Sequence, residues 1–278
     1  MSPSENLLTV RGLGMRFGGI QALTDVNFSI AAGSISALIG PNGAGKTTVF
    51  NCITGFYPPS NGNIELTVAG HVQDLGALLA SRLLGGSHRI ARAGVARTFQ
   101  NIRLFREMTV LENLLVAQHH RLNRNLLAGF FRSSAYRSAE QAAIDNAVDW
   151  LEVVGLRDCA NRLAGTLPYG HQRRLEIARA MCTRPRLICL DEPAAGLNPS
   201  ETAELAGLIK QLRQQYKATV LLIEHDMGLV MNISDHIVVL DHGKVIAMGV
   251  PEVVANAPEV IQAYLGVEET VTNGVNPA

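Results

Sequence analysis

The stretch Gly40-Pro41-Asn42-Gly43-Ala44-Gly45-Lys46-Thr47-Thr48 decides the fold. It directly follows the apolar run Ile35-Ser-Ala-Leu-Ile39 and matches the pattern G-x-x-x-x-G-K-[ST]. Glycines let the backbone curl until successive N–H groups point inward, and a helix beginning near Lys46 aims its positive end at the same place. In that cradle Lys46 reaches the outer phosphates of a nucleotide and Thr47 offers a hydroxyl to magnesium. A plain glycine-rich turn with a solvated lysine is the bland alternative. The strand before the loop and the helix after it argue against that.

Composition narrows the class. The 278 residues can bury a substantial core. Lys plus Arg and Asp plus Glu balance at 24 each, so no basic excess exists to follow a nucleic-acid backbone. The longest apolar runs, such as Val220-Leu-Leu-Ile223 and Ile237-Val-Val-Leu240, fall far below the roughly 18 residues of a spanning helix. The start, Met1-Ser-Pro-Ser-Glu5, has neither the basic flank nor the apolar centre of an export signal. Cys52, Cys159, Cys182 and Cys189 are scattered without metal-ligand spacing. A cytosolic chain with reduced core thiols is expected.

Outward from the loop, periodicity predicts strands over 7–10, 22–30 and 35–39, a helix from 46 to 54 ended by Gly55, and a strand over 64–68. Residues 74–94 read as two short helices about Gly85-Gly86, and 109–181 as helical, with 142–154 the clearest amphipathic segment. Strands at 187–190, 219–223, 237–240 and 244–247 then alternate with helices at 200–215 and 227–232, which indicates parallel strands with helical crossovers. The expectation is one α/β domain over 7–266 with a helical subdomain at about 95–182, and a polar, disordered tail over 267–278.

A second motif reduces the choice among phosphate-loop enzymes. Leu187-Ile-Cys-Leu-Asp191-Glu192 is an apolar strand ending in two carboxylates. Burial of the strand carries Asp191 to the carboxyl edge of the sheet, beside the phosphate loop, where it can hold the magnesium shell. Glu192 can then orient or deprotonate the attacking water. The bland reading is a pair of solvated acids. His225 follows the strand at 219–223, where a histidine is ordinarily just a satisfied polar residue, but beside Glu192 its imidazole can meet the outer phosphate and the water.

Leu167-Pro168-Tyr169-Gly170-His171-Gln172 precedes a predicted helix with Leu175, Ala178 and Cys182 on one face, and a glycine at a helix N-terminus is a second anion seat. This segment resembles the signature of the ATP-binding cassette family, whose usual form is Leu-Ser-Gly-Gly-Gln. The resemblance covers about Leu7 to Gly266 and implies a phosphate-loop NTPase with a mostly parallel core sheet, an antiparallel β subdomain and an α-helical subdomain. It implies ATP and Mg2+ as ligands and a head-to-tail pair of cassettes. Tyr169, Gly170 and His171 would then face the nucleotide on the partner subunit. Phe17 falls where an aromatic stacks on adenine, Gln100 in the magnesium- and water-contacting loop, 194–199 at the dimer seam, and His225 where the family has its switch histidine.

The chain also departs from the usual signature. It has Pro168-Tyr169-Gly170-His171, without the serine hydroxyl and, at Pro168, without an N–H, so two potential phosphate donors are missing. Such variants resemble one of the two unlike cassettes of branched-chain amino acid importers, as do Thr98–Arg106, Arg173–Arg179, Asp191–Pro199, Phe56–Pro59 and Ala263–Gly266. That resemblance implies a peripheral ATPase at the cytoplasmic face of the inner membrane. A second, non-identical cassette would be its partner, with permease subunits docking near Arg97–Arg106 and, indirectly, a periplasmic binding protein. The ATPase of another transporter, such as a lipid or lipopolysaccharide exporter, shares every nucleotide motif. A soluble cassette mechanoenzyme ordinarily has two cassettes or a coiled coil, and a phosphate-loop kinase would lack the segment at 167–172.

Overall fold

Strands that are largely apolar must be covered on both faces, and the core strands at 35–39, 187–191 and 219–223 are buried at every position. The computed structural model describes residues 5–80, 86–118 and 134–264. The chain opens with a hairpin, β1 (Asn6–Phe17) and β2 (Ile20–Ala31), then β3 (Ile35–Ile39), α1 (Lys46–Ile53), β4 (Asn61–Val68), β5 (His71–Asp74), α2 (Leu75–Ala80), α3 (Ser87–Ala93) and β6 (Val95–Arg97). Next come α4 (Val110–Gln118), α5 (Ser134–Val153) and α6 (Tyr169–Met181). The chain then continues through β7 (Leu187–Asp191), α7 (Pro199–Tyr216), β8 (Thr219–Ile223), α8 (Met227–Ile233), β9 (His236–Asp241), β10 (Lys244–Gly249) and α9 (Pro251–Ala255).

The core sheet runs β10-β9-β3-β8-β7-β6, parallel from β9 to β6 and antiparallel at β10. A second, antiparallel sheet runs β2-β1-β4-β5. Side-chain alternation divides the core in two. Ile35, Ala37, Ile39, Val220 and Leu222 face the helical side, whereas Leu38, Leu221 and Ile223 face α1 and the antiparallel sheet. The fold class is therefore as the sequence implies.

The helical side is built from α4, α5 and α6. Ala143, Ala147, Trp150, Leu151 and Val154 recur at helical spacing and are all buried, which is why this stretch carries the clearest amphipathic pattern. Helix α7 starts at a capping box: Asn198 accepts from Glu201 N and the Glu201 carboxylate accepts from Asn198 N, at 3.0 Å each.

Three differences from the sequence reading have physical causes. Strand β5 is exposed at each position, so no period-2 apolar signal marks it. Strand β6, three residues long, pairs with the edge of the core sheet inside the stretch assigned to the helical part. Helix α6 starts at Tyr169, so Gly170 lies in its first turn rather than ahead of it. The expected tail at 267–278 lies outside the described residues.

The four cysteines are free, and Cys52, Cys182 and Cys189 are buried. Burial pushes the Cys52 thiol up to about 11 and those of Cys182 and Cys189 up to about 12. At pH 8 each is about 0.1% thiolate or less, so none is a nucleophile in the native state. A thiol-reactive dye at pH 8 should label Cys159 alone, with the other three reacting only after denaturant is added. Rapid native labelling of more than one cysteine per chain would contradict this packing.

Candidate functional site

The carboxyl ends of β3, β7 and β8 converge, and the expected residues sit there. Gly40, Gly43 and Gly45 all have positive φ, at 144°, 83° and 100°. At Gly40 a side chain would run into the Leu240 carbonyl, so glycine is required twice over, by conformation and by space. Lys46 opens α1 and is buried. Its ammonium donates to the carbonyls of Gly40 at 2.7 Å and Pro41 at 2.9 Å. Burial lowers its pKa, and the nearby negative charge of Glu192 partly restores it. Pro41, Asn42, Ala44, Thr47 and Thr48 complete the same loop and first helical turn.

Strand β7 delivers Asp191 and, one step later, Glu192. Glu192 has φ 46°, a left-handed conformation that a non-glycine residue adopts only when its surroundings impose it. Here its N–H donates to the Ile223 carbonyl at 3.0 Å, which fastens it to the end of β8. The Glu192 carboxylate bridges two of the other expected residues. Gln100 Nε2 donates to Oε2 at 2.7 Å, and His225 Nε2 lies 3.0 Å from Oε1. Glu192, Gln100 and His225, drawn from three separate stretches of chain, are one constellation.

Behind them lies a part of the site that motif reading missed. Arg97 opens the stretch expected near the docked permease, but its guanidinium is turned inward, only 9% exposed, and pairs with Asp191 Oδ2 at 2.6 Å. It also donates to Asn51 Oδ1 at 2.7 Å and Thr54 Oγ1 at 3.1 Å on and just after α1. The rings of Phe50, Phe56 and Phe99 surround it, with centroids at 5.8, 5.2 and 5.3 Å. An arginine in an alternating basic and aromatic run looks solvated in one dimension. The hydrogen-bond partners that draw it in are all more than 40 positions away.

Arg173 and Glu176, fully buried on α6, form a second unforeseen element, an ion pair at 3.0 Å. Arg173 donates to the carbonyls of Phe99 and Gln100, both at 2.7 Å, and Glu176 accepts from Arg103 N at 3.2 Å. Burial raises the Glu176 pKa against the pull of these donors. The main chain of Gln100 is thus held by α6 while its side chain is held by Glu192.

The signature residues stand apart from this constellation. Gly170 is buried against α7, where an added Cβ would come within 2.6 Å of Glu201 Oε1. Tyr169 lies over Gly196, whose own Cβ would come within 3.3 Å of the ring. His171 is half-buried, with Nδ1 lacking a partner, and burial together with Arg174 lowers its pKa. Phe17, at the end of β1, is 42% exposed and meets Tyr57 edge-on at 5.5 Å, so it is not a core residue. The same hairpin carries Ala22 and Leu23, which close over Gly45.

Among the described residues no cluster of three His, Cys, Asp or Glu side chains suits a metal. Magnesium on a nucleotide needs few protein ligands, and these must be hard oxygens. Thr47 Oγ1, Gln100 Oε1 and Asp191 Oδ1 are of that kind, Asp191 Oδ2 being taken by Arg97.

A phosphate loop joined to this Gln–Glu–His constellation and to a helix opening on Tyr169-Gly170 sets the terms for comparison with known proteins. The ABC transporter family profile matches residues 23–195. This chain belongs to that family. It is 57% identical over 263 residues to the high-affinity branched-chain amino acid transport ATP-binding protein BraF of Pseudomonas aeruginosa, covering 95% of this chain and 99% of that protein. It is 54% identical over 265 residues to LivG of Escherichia coli, a protein of the same description, with the same coverage. An ATP-binding cassette of an ABC transporter solved in its ADP conformation superposes with a TM-score of 0.77 at 31% identity, covering 94% of this chain and 99% of that one.

For an ABC cassette the buried Arg97–Asp191 pair has a measurable consequence. Arg97→Met leaves the Asp191 carboxylate buried and uncompensated, and should lower unfolding stability by about 3–5 kcal/mol in urea titrations. Adding Asp191→Asn to that variant removes the stranded charge and should recover part of the loss. A cost below about 1 kcal/mol for Arg97→Met would show that the pair is solvated.

Proposed function

We propose that this chain is the ATP-hydrolysing subunit of an importer of branched-chain amino acids, paired head to tail with a second, unlike cassette on the cytoplasmic face of the membrane. The observation that carries the hydrolytic part is the Glu192 carboxylate, held between Gln100 and His225 one residue beyond Asp191. The substrate class rests on the near full-length match to BraF and LivG. No helix among the described residues is long and apolar enough to cross a membrane, so this reading assigns the crossing to permease subunits.

Each residue has a distinct task. The curled loop from Gly40 to Thr48 presents N–H groups to the phosphates, and Lys46 exchanges its two carbonyl partners for phosphate oxygens. Phe17, exposed beside Tyr57, offers a π-face to the adenine. Glu192 orients the attacking water and takes its proton, and His225 fixes the carboxylate and meets the outer phosphate. Thr47, Asp191 and Gln100 would hold a magnesium ion, whose chemistry there would be charge neutralisation at the phosphates. Gly170 and the start of α6 complete the site of the partner subunit.

Permease docking fits the cleft of about 350 Å³ beneath α3, lined by Phe56, Ala96, Phe99, Glu176 and Arg179. This cleft touches the Gln100 segment through Phe99 and Glu176, which gives an occupant a short path to Glu192.

Glu192→Gln should retain nucleotide affinity and slow ATP hydrolysis by about 100-fold or more in the assembled transporter. Wild-type turnover in that variant would remove Glu192 from the role assigned to it. Phe17→Ala should weaken nucleotide binding by about 1–3 kcal/mol, roughly 5- to 150-fold, in calorimetry. Unchanged affinity would mean that the ring does not touch the base.

A further inference from the structure

A sizeable cavity lies away from the nucleotide site. This groove of about 1150 Å³ sits at the amino ends of β6 and β7, about 15 Å of strand away from Asp191. Four arginines line it: Arg89 and Arg92 from α3, and Arg184 and Arg186 from the turn between α6 and β7. Arg92, Arg184 and Arg186 are exposed and Arg89 is half-buried, and none of the four has an ion pair among the described residues. One carboxylate, Asp149, faces them.

The turn that carries two of these arginines is held firmly. Arg184 sits at φ 53°, with its N–H on the Met181 carbonyl at 2.8 Å, and Pro185 follows it. The N–H groups of Arg186 and Leu187 both donate to the Gly94 carbonyl, at 2.7 and 3.0 Å. The arginine backbones are therefore fixed before any ligand arrives. In a chain with no net charge, four guanidinium groups against one carboxylate form a local excess that a low-dielectric cleft intensifies. Planar guanidinium forks suit phosphate oxygens, each pair of N–H groups matching two of them.

We propose that this groove binds a small soluble anion carrying two or more phosphate groups, and that its occupancy regulates the ATPase. Helix α3 supplies the regulatory step. Arg89 and Arg92 face the groove, whereas Ser87 and His88 of the same helix line the docking cleft, and the two cavities share Ala91 and Thr183. An anion drawing in the two α3 arginines shifts a wall of the docking cleft. This regulatory half rests on the docking reading above, and the binding half does not.

The only tryptophan in the sequence, Trp150, lines the groove and stacks on Tyr216 with ring centroids 4.7 Å apart. Its fluorescence reports this groove and not the phosphate loop. The full-length chain, saturated with a non-hydrolysable ATP analogue, is titrated with tripolyphosphate. A saturable change in Trp150 emission is expected, weakened at least 10-fold in Arg92→Glu/Arg186→Glu and in the milder Arg92→Gln/Arg186→Gln, both with unchanged melting curves. Three results would overturn binding: no response, an equal response in the variants, or the same curve with sulfate at matched ionic strength. A response to phosphatidylglycerol vesicles but not to tripolyphosphate would replace the soluble ligand with a membrane surface and also refute the proposal. In the assembled transporter, tripolyphosphate should change the ATPase rate at least 2-fold, and not in the variants. Binding without that change would overturn regulation alone.

Discussion

The catalytic edge of this cassette depends on a buried ion pair. Arg97 on the last strand of the core sheet meets Asp191 on its neighbour at 2.6 Å, with both side chains less than a tenth exposed. Asn51 and Thr54 take the other guanidinium nitrogen, so the sheet edge and the helix after the phosphate loop are joined at one point. Such a pair contributes little net stability relative to apolar residues of equal volume, because desolvating two charges offsets most of their attraction. What it fixes is position. In the proposed site Asp191 would keep one oxygen turned toward the nucleotide, while Arg97 on the opposite side holds the other.

A second buried pair does the same for Gln100 from the helical side. Arg173 binds the carbonyls of Phe99 and Gln100, and Glu176 balances it while accepting from Arg103 N. Gln100 is then the joint between two bodies, with its main chain carried by α6 and its side chain seated on Glu192. Any rotation of α6 relative to the core sheet must either carry Gln100 away from Glu192 or strain one of these bonds. With Glu192 in its proposed role, hydrolysis and the attitude of the helical subdomain would be coupled by geometry at this joint, without need of a longer path.

What could be read in the sequence follows from where its information lies. The phosphate loop, the strand before it and the Asp191-Glu192 pair are local patterns in which neighbours in sequence are neighbours in space, and they place the parallel sheet and most of the site. The amphipathic stretch in α5 was legible for the same reason. Strand β5, exposed throughout, and strand β6, three residues at a sheet edge, carry no periodic signal. The inward turn of Arg97 and the burial of Arg173 were illegible because the side chains and carbonyls that receive their guanidinium groups, Asp191 for the first and Phe99 and Gln100 for the second, are distant in sequence. Arg173 reads as one more charge on a helix until the loop 74 residues before it is brought alongside.

The variant signature acquires a physical meaning in this context. Where a serine is usual there is Pro168, which sits at the helix N-cap and has neither hydroxyl nor N–H to offer. The next residue, Tyr169, spreads its ring over Gly196 in the segment that follows Glu192, and its hydroxyl lies 3.3 Å from Arg173. Gly170 packs against Glu201 of the capping box that starts α7. The first turn of α6 is therefore clasped to the 194–201 segment from two sides, by an aromatic ring on one glycine and a carboxylate on another. On the proposed pairing, what this chain gives up in donors toward the partner's nucleotide it gains in attachment to its own core. In the proposed head-to-tail pair, a signature held this way would move with the segment expected at the dimer seam, so closure of the partner's site and displacement of that segment would be a single motion.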